Sequence, residues 1–179
     1  MTEVIQIVLP YLALASHFLL VFLFVTTLFR HTWGRRPTAF LNKNSILLGF
    51  IVSLGAVLGS LFYSEVLGFE PCVLCWWQRV FLYPLPILFG VAIWKKSDSA
   101  FSYAVPMTLL AALIATYQSY VFLGGVSLLS CTAIDGACSK VYVKEFGYIT
   151  IPIMSLTASL YILLLAWANR IYLNENRNA

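Results

Sequence analysis

Apolar residues run along this chain in long stretches, separated by short polar ones. Five stretches, 4–29, 45–67, 76–94, 101–123 and 149–170, have the required length and hydrophobicity for a helix crossing a hydrocarbon core, which takes about 20 residues. Inside them the acidic or basic residues are Glu65 and Arg79, each near the end of its stretch, and the terminal Arg170. The pattern predicts an all-α polytopic membrane protein and leaves no room for a soluble domain. The first stretch carries Ala13-Leu14-Ala15, similar to a signal-peptide cleavage site. No Lys or Arg precedes the apolar run, which continues to Phe29, so a retained helix is expected.

Composition agrees. Of 179 residues 61% are hydrophobic and 10% charged, against roughly 25% charged in a soluble domain. Such a chain cannot coat a water-facing surface, and it is far too apolar for intrinsic disorder. The net charge is +4, but the basic residues lie between apolar runs. That is not a nucleic-acid footprint; it is a topology signal.

Arg30, Arg35, Arg36 and Lys43, then Lys95 and Lys96, then Arg170 and Arg177 fall on one side of a five-span model. Glu3, Glu70 and the loop 124–148, where Lys140 and Lys144 are balanced by Asp135 and Glu145, fall on the other. The positive-inside rule puts the first group in the cytoplasm, the N-terminus outside and the C-terminus inside. Trp33, Trp94 and Trp167 then lie near the inner boundary, and Trp76 and Trp77 near the outer one, as interfacial aromatics do. Gly55 and Gly59 form a G-x-x-x-G, a pattern that allows close helix packing.

All four cysteines fall on the outer side, where disulfides persist. Cys72 and Cys75 make a C-x-x-C before the third stretch; Cys131 and Cys138 lie in the long loop before the fifth. Four cysteines allow three pairings, the simplest being Cys72–Cys75 with Cys131–Cys138. A C-x-x-C closes too short a loop to constrain the unfolded chain much, so it fits a redox pair better than a staple. The second pair, around the Asp135-Gly136 turn, could be a plain clip. Pro71 is suited to a first helical turn, which puts the C-x-x-C at a helix N-terminus, where thiol pKa falls. Arg79, four residues after Cys75, shares its helix face and would favour a thiolate or an anionic acceptor beside it. Snorkelling of Arg79 to lipid phosphates is the bland alternative. Zinc competes for the thiols, but the second pair is loosely spaced and the oxidising side disfavours free thiolates. His17, within the first stretch, and His31, on the inner side, do not help it.

The run Pro71-Cys72-Val73-Leu74-Cys75-Trp76-Trp77-Gln78-Arg79, followed by Tyr83-Pro84, resembles the first active loop of the disulfide bond formation protein B family. Gly147-Tyr148-Ile149-Thr150-Ile151-Pro152 resembles the start of that family's last helix, especially in its BdbC-like branch. The likeness covers about residues 45–170. The family order, with C-x-x-C first, differs from that of the related vitamin K epoxide reductases. The resemblance implies a four-helix transmembrane bundle over 45–170. The segment 1–44 adds an extra N-terminal transmembrane helix and a basic cytoplasmic loop; 171–179 is a cytoplasmic tail. The outer cysteine pair is closer together than in the best-known proteobacterial members, which fits the BdbC-like branch.

The resemblance further implies a quinone-dependent thiol oxidase of the bacterial cytoplasmic membrane. It would reoxidise a soluble extracytoplasmic thioredoxin-like thiol oxidase and pass the electrons to the membrane quinone pool, ubiquinone or menaquinone. Catalysis would fall to Cys72, Cys75, Cys131 and Cys138. Trp76, Gln78 and Arg79 would line the quinone site with Gln118, which stands roughly where some members place a polar residue facing the quinone. A helix-packing glutamine is the other reading of Gln118. Trp76, Trp77 and Tyr83 could wall that site, or be ordinary interfacial aromatics. The segment 139–147 could lie flat in the interface as a short helix, or be a polar loop. A membrane scaffold with structural disulfides, or a reductase running the other way, stays open, because direction depends on the partners' potentials.

Overall fold

The computed structural model describes residues 2–30, 35–97, 99–126 and 142–178. Its helices are α1 (Thr2–Leu28), α2 (Arg35–Lys43), α3 (Ser45–Leu61), α4 (Val73–Leu82), α5 (Pro84–Lys95), α6 (Ala100–Phe122) and α7 (Ile151–Asn178). A π-helical turn, Phe62–Val66, extends α3. Among the described residues the extended pairing is limited to one bridge, between Glu145 and Ile149. Four helical segments are long and apolar enough to cross a membrane: Val8–Leu28, Ser45–Val66, Ala100–Phe122 and Ile151–Asn174. They coincide with four of the five predicted stretches. The chain is an all-helical membrane protein.

The remaining stretch, 76–94, is two helices rather than one. Pro84 and Pro86 carry no N–H, so the carbonyls of Val80 and Leu82 lose their usual partners. Tyr83 between them keeps right-handed helical angles, φ −66° and ψ −34°, so α5 follows directly on α4. The basic segment read as a cytoplasmic loop also differs, since residues 35–43 form α2. Its buried Asn42 holds it to α7: the amide nitrogen, in the orientation its neighbours require, donates to Thr38 O at 3.1 Å and Ala168 O at 2.9 Å. Likewise α7 runs on to Asn178, so the tail expected from 171 begins as helix.

α7 is the hub, touching α1, α2, α3 and α6. Packed against α7 and α4, α6 buries Ala104, Thr108, Ala111, Ala115, Gln118 and Ser119, while Leu109, Leu110, Leu113 and Tyr120 point outward. Small residues inside and large ones outside suit a lipid solvent. With no hydrophobic drive between helices, close backbone approach is what holds them. The hydroxyls of Thr108 and Ser119 bond back to Ala104 O and Ala115 O at 2.7 Å, so neither stays unsatisfied in hydrocarbon.

The packed core lies toward the end of the bundle where α2 meets α7. Leu41, Leu82, Leu85, Phe89, Phe101, Ile162 and Leu165 are its large members. Phe89 meets Phe101 edge-on, centroids 5.3 Å apart. A Cβ on Gly49 would stand 2.9 Å from the Phe89 ring, so α3 approaches α5 only because residue 49 has no side chain. Gly55 and Gly59 behave differently: a Cβ on either would meet nothing within 4 Å. The G-x-x-x-G is therefore not a helix-packing seam here.

Candidate active site

α4 starts at the other end of the bundle, and its first turn carries the dithiol. Cys72 is the N-cap, with extended angles (φ −71°, ψ 169°), and its sulfur accepts the Cys75 N–H at 3.4 Å. Pro71 lies just ahead of the cap rather than in the first turn, and still keeps the preceding chain extended. A sulfur thus takes the place a Ser or Asp oxygen usually holds, beside the unsatisfied N–H groups of the helix start. Cys72 is buried and Cys75 half-buried, with their sulfurs 2.9 Å apart.

Gln118 reaches the pair from α6. Its Nε2 donates to Cys72 Sγ at 3.1 Å and to Cys75 Sγ at 3.2 Å. Its Oε1 accepts from Gln78 Nε2 at 2.6 Å. With that oxygen engaged, the amide can present only its N–H groups to sulfur. Gln78, one helical turn after Cys75, therefore orients Gln118, and both are buried. The pair expected to line a quinone site also clamps the dithiol.

Cys75 stands one residue before the stretch 76–94. Its thiol is held well below its ordinary value, at about 6, by the Cys72 hydrogen bond above all. Burial works the other way, while Gln118 and the positive charge of Arg79 add to the lowering. That lowering favours the thiolate, which is the nucleophile.

Arg79 acts on Cys75 through its field; its hydrogen bonds go to α3. Nε donates to Ser60 Oγ at 3.1 Å and Nη2 to Ser60 O at 3.3 Å. Tyr83 OH also donates to Ser60 Oγ, at 3.2 Å. The guanidinium carbon lies 5.2 Å from the Trp76 ring centroid and 5.8 Å from that of Tyr83, within cation–π range. Ser60 directly precedes the last residue of α3 before its π-helical turn, a local widening often found at functional sites. Nothing along the chain marks Ser60, a serine in an apolar run; only the crossing of α3 and α4 makes it an arginine ligand.

The site opens on a cavity of about 680 Å³ between α1, α3, α4 and α7. Cys72, Cys75, Gln78, Arg79, Tyr83 and Gln118 form its polar end, and Ile51, Val52, Gly55, Ala56, Leu82 and Ala158 are among its apolar lining. Gly55 and Gly59 contribute empty space to it. At the dithiol end of the cavity Tyr63, Phe69 and Tyr142 stack in sequence, with centroids 6.0 and 4.6 Å apart. This aromatic column was not anticipated, because its members come from three separate segments. Trp76 is outside the lining, over Arg79, and Trp77 stacks instead on Phe81 at 6.4 Å.

Cys131 and Cys138 lie outside the described residues. Of the segment 139–147, residues 142–147 are described and form no helix. Glu145 and Ile149 exchange backbone hydrogen bonds at 3.0 and 2.9 Å around a turn in which Phe146 and Gly147 take positive φ. That turn delivers the chain to α7 and cannot be helical.

The fold and the site define a class first: a helical membrane protein whose dithiol caps a helix and opens on a cavity between the helices. Residues 42–169 match the family described as disulfide bond formation protein DsbB. The chain is 39% identical over 113 residues to the SPbeta prophage-derived disulfide bond formation protein B of Bacillus subtilis, covering 63% of this chain and 76% of that one. It is 30% identical over 137 residues to the probable disulfide formation protein C 2 of Bacillus anthracis, covering 76% and 98%. With a probable disulfide formation protein of Oceanobacillus iheyensis the identity is 40% over 132 residues, covering 69% and 86%. No solved structure matches the chain. The chain belongs to the DsbB family of disulfide bond formation proteins, and its relatives are of the BdbC-like kind. The family implies an oxidoreductase acting on thiols and disulfides.

Proposed function

We propose that the chain is a quinone-dependent thiol oxidase, which reoxidises an extracytoplasmic thioredoxin-like dithiol protein and sends the electrons to the membrane quinone pool. The observation that carries this is the Cys75 thiol, flanked by Arg79 and opening on a large apolar cavity inside the bundle. A solvent-facing dithiol needs no such chamber; a lipid-soluble acceptor does. The residues fit a quinone: the ring would stand at the polar end near Cys75, Arg79 and Tyr83, and a tail would need the apolar remainder. A bound quinone supplies a two-electron, two-proton acceptor.

The chain's own groups perform the rest by thiol–disulfide exchange. A partner thiolate attacks Cys131 and displaces the Cys138 thiolate. Cys138 attacks Cys72 of the oxidised C-x-x-C and displaces Cys75, which becomes the electron-pair donor. The second partner thiol releases the partner as a disulfide and frees Cys131, which attacks Cys138, restores the Cys131–Cys138 disulfide and displaces the Cys72 thiolate; Cys72 and Cys75 then re-form their disulfide and give up two electrons. In sum, one partner dithiol becomes a disulfide and two electrons and two protons pass to the quinone. The Gln118 amide and the Arg79 charge stabilise the Cys75 thiolate. Stabilising the reduced form raises the reduction potential of the pair, which favours electron flow inward.

The topology follows the charges. Residues 76–94, carried by α4 and α5, rise about 28 Å at 1.5 Å per residue, close to the roughly 30 Å hydrocarbon core, and make a fifth crossing of the bacterial cytoplasmic membrane. The N-terminus is outside, the C-terminus in the cytoplasm and the dithiol on the outer face.

The test uses the purified full chain, a reduced thioredoxin-like dithiol protein and a soluble quinone, with quinol followed by absorbance. Turnover that disappears in both Cys75→Ser and Cys131→Ser is expected. Turnover indifferent to both substitutions sinks the relay. No turnover in any form, with a second donor and quinone also inert, leaves the structural scaffold as the better reading.

A further inference from the structure

α1 lies outside residues 42–169 that match the family, and the relay above gives it no task. Yet it is fastened to the bundle by specific bonds. Tyr161 OH donates to the Ser16 carbonyl at 2.5 Å. His17 Nε2 pairs with Thr157 Oγ1 at 2.8 Å. The Thr157 hydroxyl spends its proton on Ile153 O, also at 2.8 Å, so His17 is the donor and carries its hydrogen on Nε2. Near the N-terminal end, Tyr11 meets Phe146 edge-on at 5.1 Å. In hydrocarbon such polar links have no water to replace them, so they set the rotation of α1 about its axis. A helix that only anchored the chain would need no set rotation.

That rotation turns Leu9, Leu12, Ala13 and Ser16 to the cavity, the i, i+3, i+4, i+7 positions of one helix face. On the α3 wall, Gly55 and Gly59 leave open space. The chamber reaches along α3 from Ile51 to Ser64, about 20 Å at 1.5 Å per residue. A quinone ring at Cys75 fills only one end of that length.

We infer that α1 is the tail-binding wall of this chamber: Leu9, Leu12 and Ala13 contact the apolar tail of the quinone whose ring stands at Cys75. This rests on the quinone reading above. Because α1 packs on α2 and α7, the tail lies between α1 and α3, and this wall makes the chamber selective for tailed over tailless rings.

The test compares a decyl-substituted benzoquinone with its methyl-substituted counterpart on the full chain in detergent. Binding is read by quenching of tryptophan fluorescence and by protection of Cys75 from alkylation, without any donor protein. Ala13→Phe should weaken the decyl compound about tenfold, as overfilling a packed site does, and move the methyl compound by less than about twofold on the same scale. Leu12→Ala, which thins the wall instead of filling the chamber, should weaken the decyl compound about fivefold. Phe18→Leu, on the opposite and exposed face of α1, should leave both compounds unmoved. If the wild type binds the decyl compound and both wall variants match it, α1 is no wall, although the quinone reading stands. If the wild type binds neither compound, the quinone reading itself fails and this inference falls with it.

Discussion

Gly49 and the pair Gly55 and Gly59 lie on the same helix and do opposite work. At Gly49 a methyl group would run into Phe89, 2.9 Å away, whereas at Gly55 and Gly59 it would touch nothing within 4 Å. The first glycine lets two helices close up; the other two keep a space open. The molecule divides along that line. One half is packed by Leu85, Phe89, Phe101 and Ile162 and tolerates little change of volume. The other half surrounds a chamber and holds its polar groups by hydrogen bonds to sulfur, serine and one another. A residue type therefore predicts close packing only when its neighbour is known.

Four measurements would break or sharpen this division. The largest effect belongs to Cys75→Ser, which should remove turnover entirely while leaving the melting temperature within a few degrees of wild type, since no packed contact is lost. A large fall in melting temperature would mean the chamber half is also a stability element. Next, Phe89→Ala should cost about 3 kcal/mol of stability by opening a cavity in the packed half, read by chemical or thermal unfolding in detergent. Gly49→Val should destabilise by about 1–3 kcal/mol through overpacking, against almost nothing for Gly55→Val. Equal effects at the two glycines would erase the distinction.

Third, Arg79→Lys should lower turnover about tenfold, because an ammonium cannot donate to both the hydroxyl and the carbonyl of Ser60 while facing two aromatic rings. Retained activity would reduce Arg79 to a simple positive charge. The smallest effect is on a titration. In the reduced protein, the Cys75 alkylation rate should rise as pH climbs through about 6 and level off above it, because only the thiolate reacts. Gln118→Leu removes a hydrogen bond that favours the thiolate, so the midpoint should move upward. An unmoved midpoint would show that the amide only packs.

Much of the site could be read before folding. Cys72, Cys75, Arg79 and Gln78 are close in the chain, and one helix turn is enough to relate them. Gln118 is distant in sequence, and no spacing rule reveals that its amide points at sulfur. Ser60 and the column Tyr63, Phe69 and Tyr142 could not be found, because their meaning comes from the meeting of separate segments. The split at Pro84 was written in the chain, yet an apolar run is scored by composition, which does not see a missing N–H.

What the sequence by itself determined is the solvent and the chemistry. Long apolar runs can satisfy their backbone in lipid only as helices, and a C-x-x-C ahead of such a run places thiols at a helix start. What only the tertiary structure decided is which faces meet and which stay apart. α1 is apolar all round, so its pattern cannot choose a face; the bonds from Tyr161 and between His17 and Thr157 choose it. The chamber likewise exists because α1 packs on α2 and α7 and leaves α3 uncovered beside the dithiol. Hydropathy is a property of each residue alone, while a cavity is a property of the distances between helices.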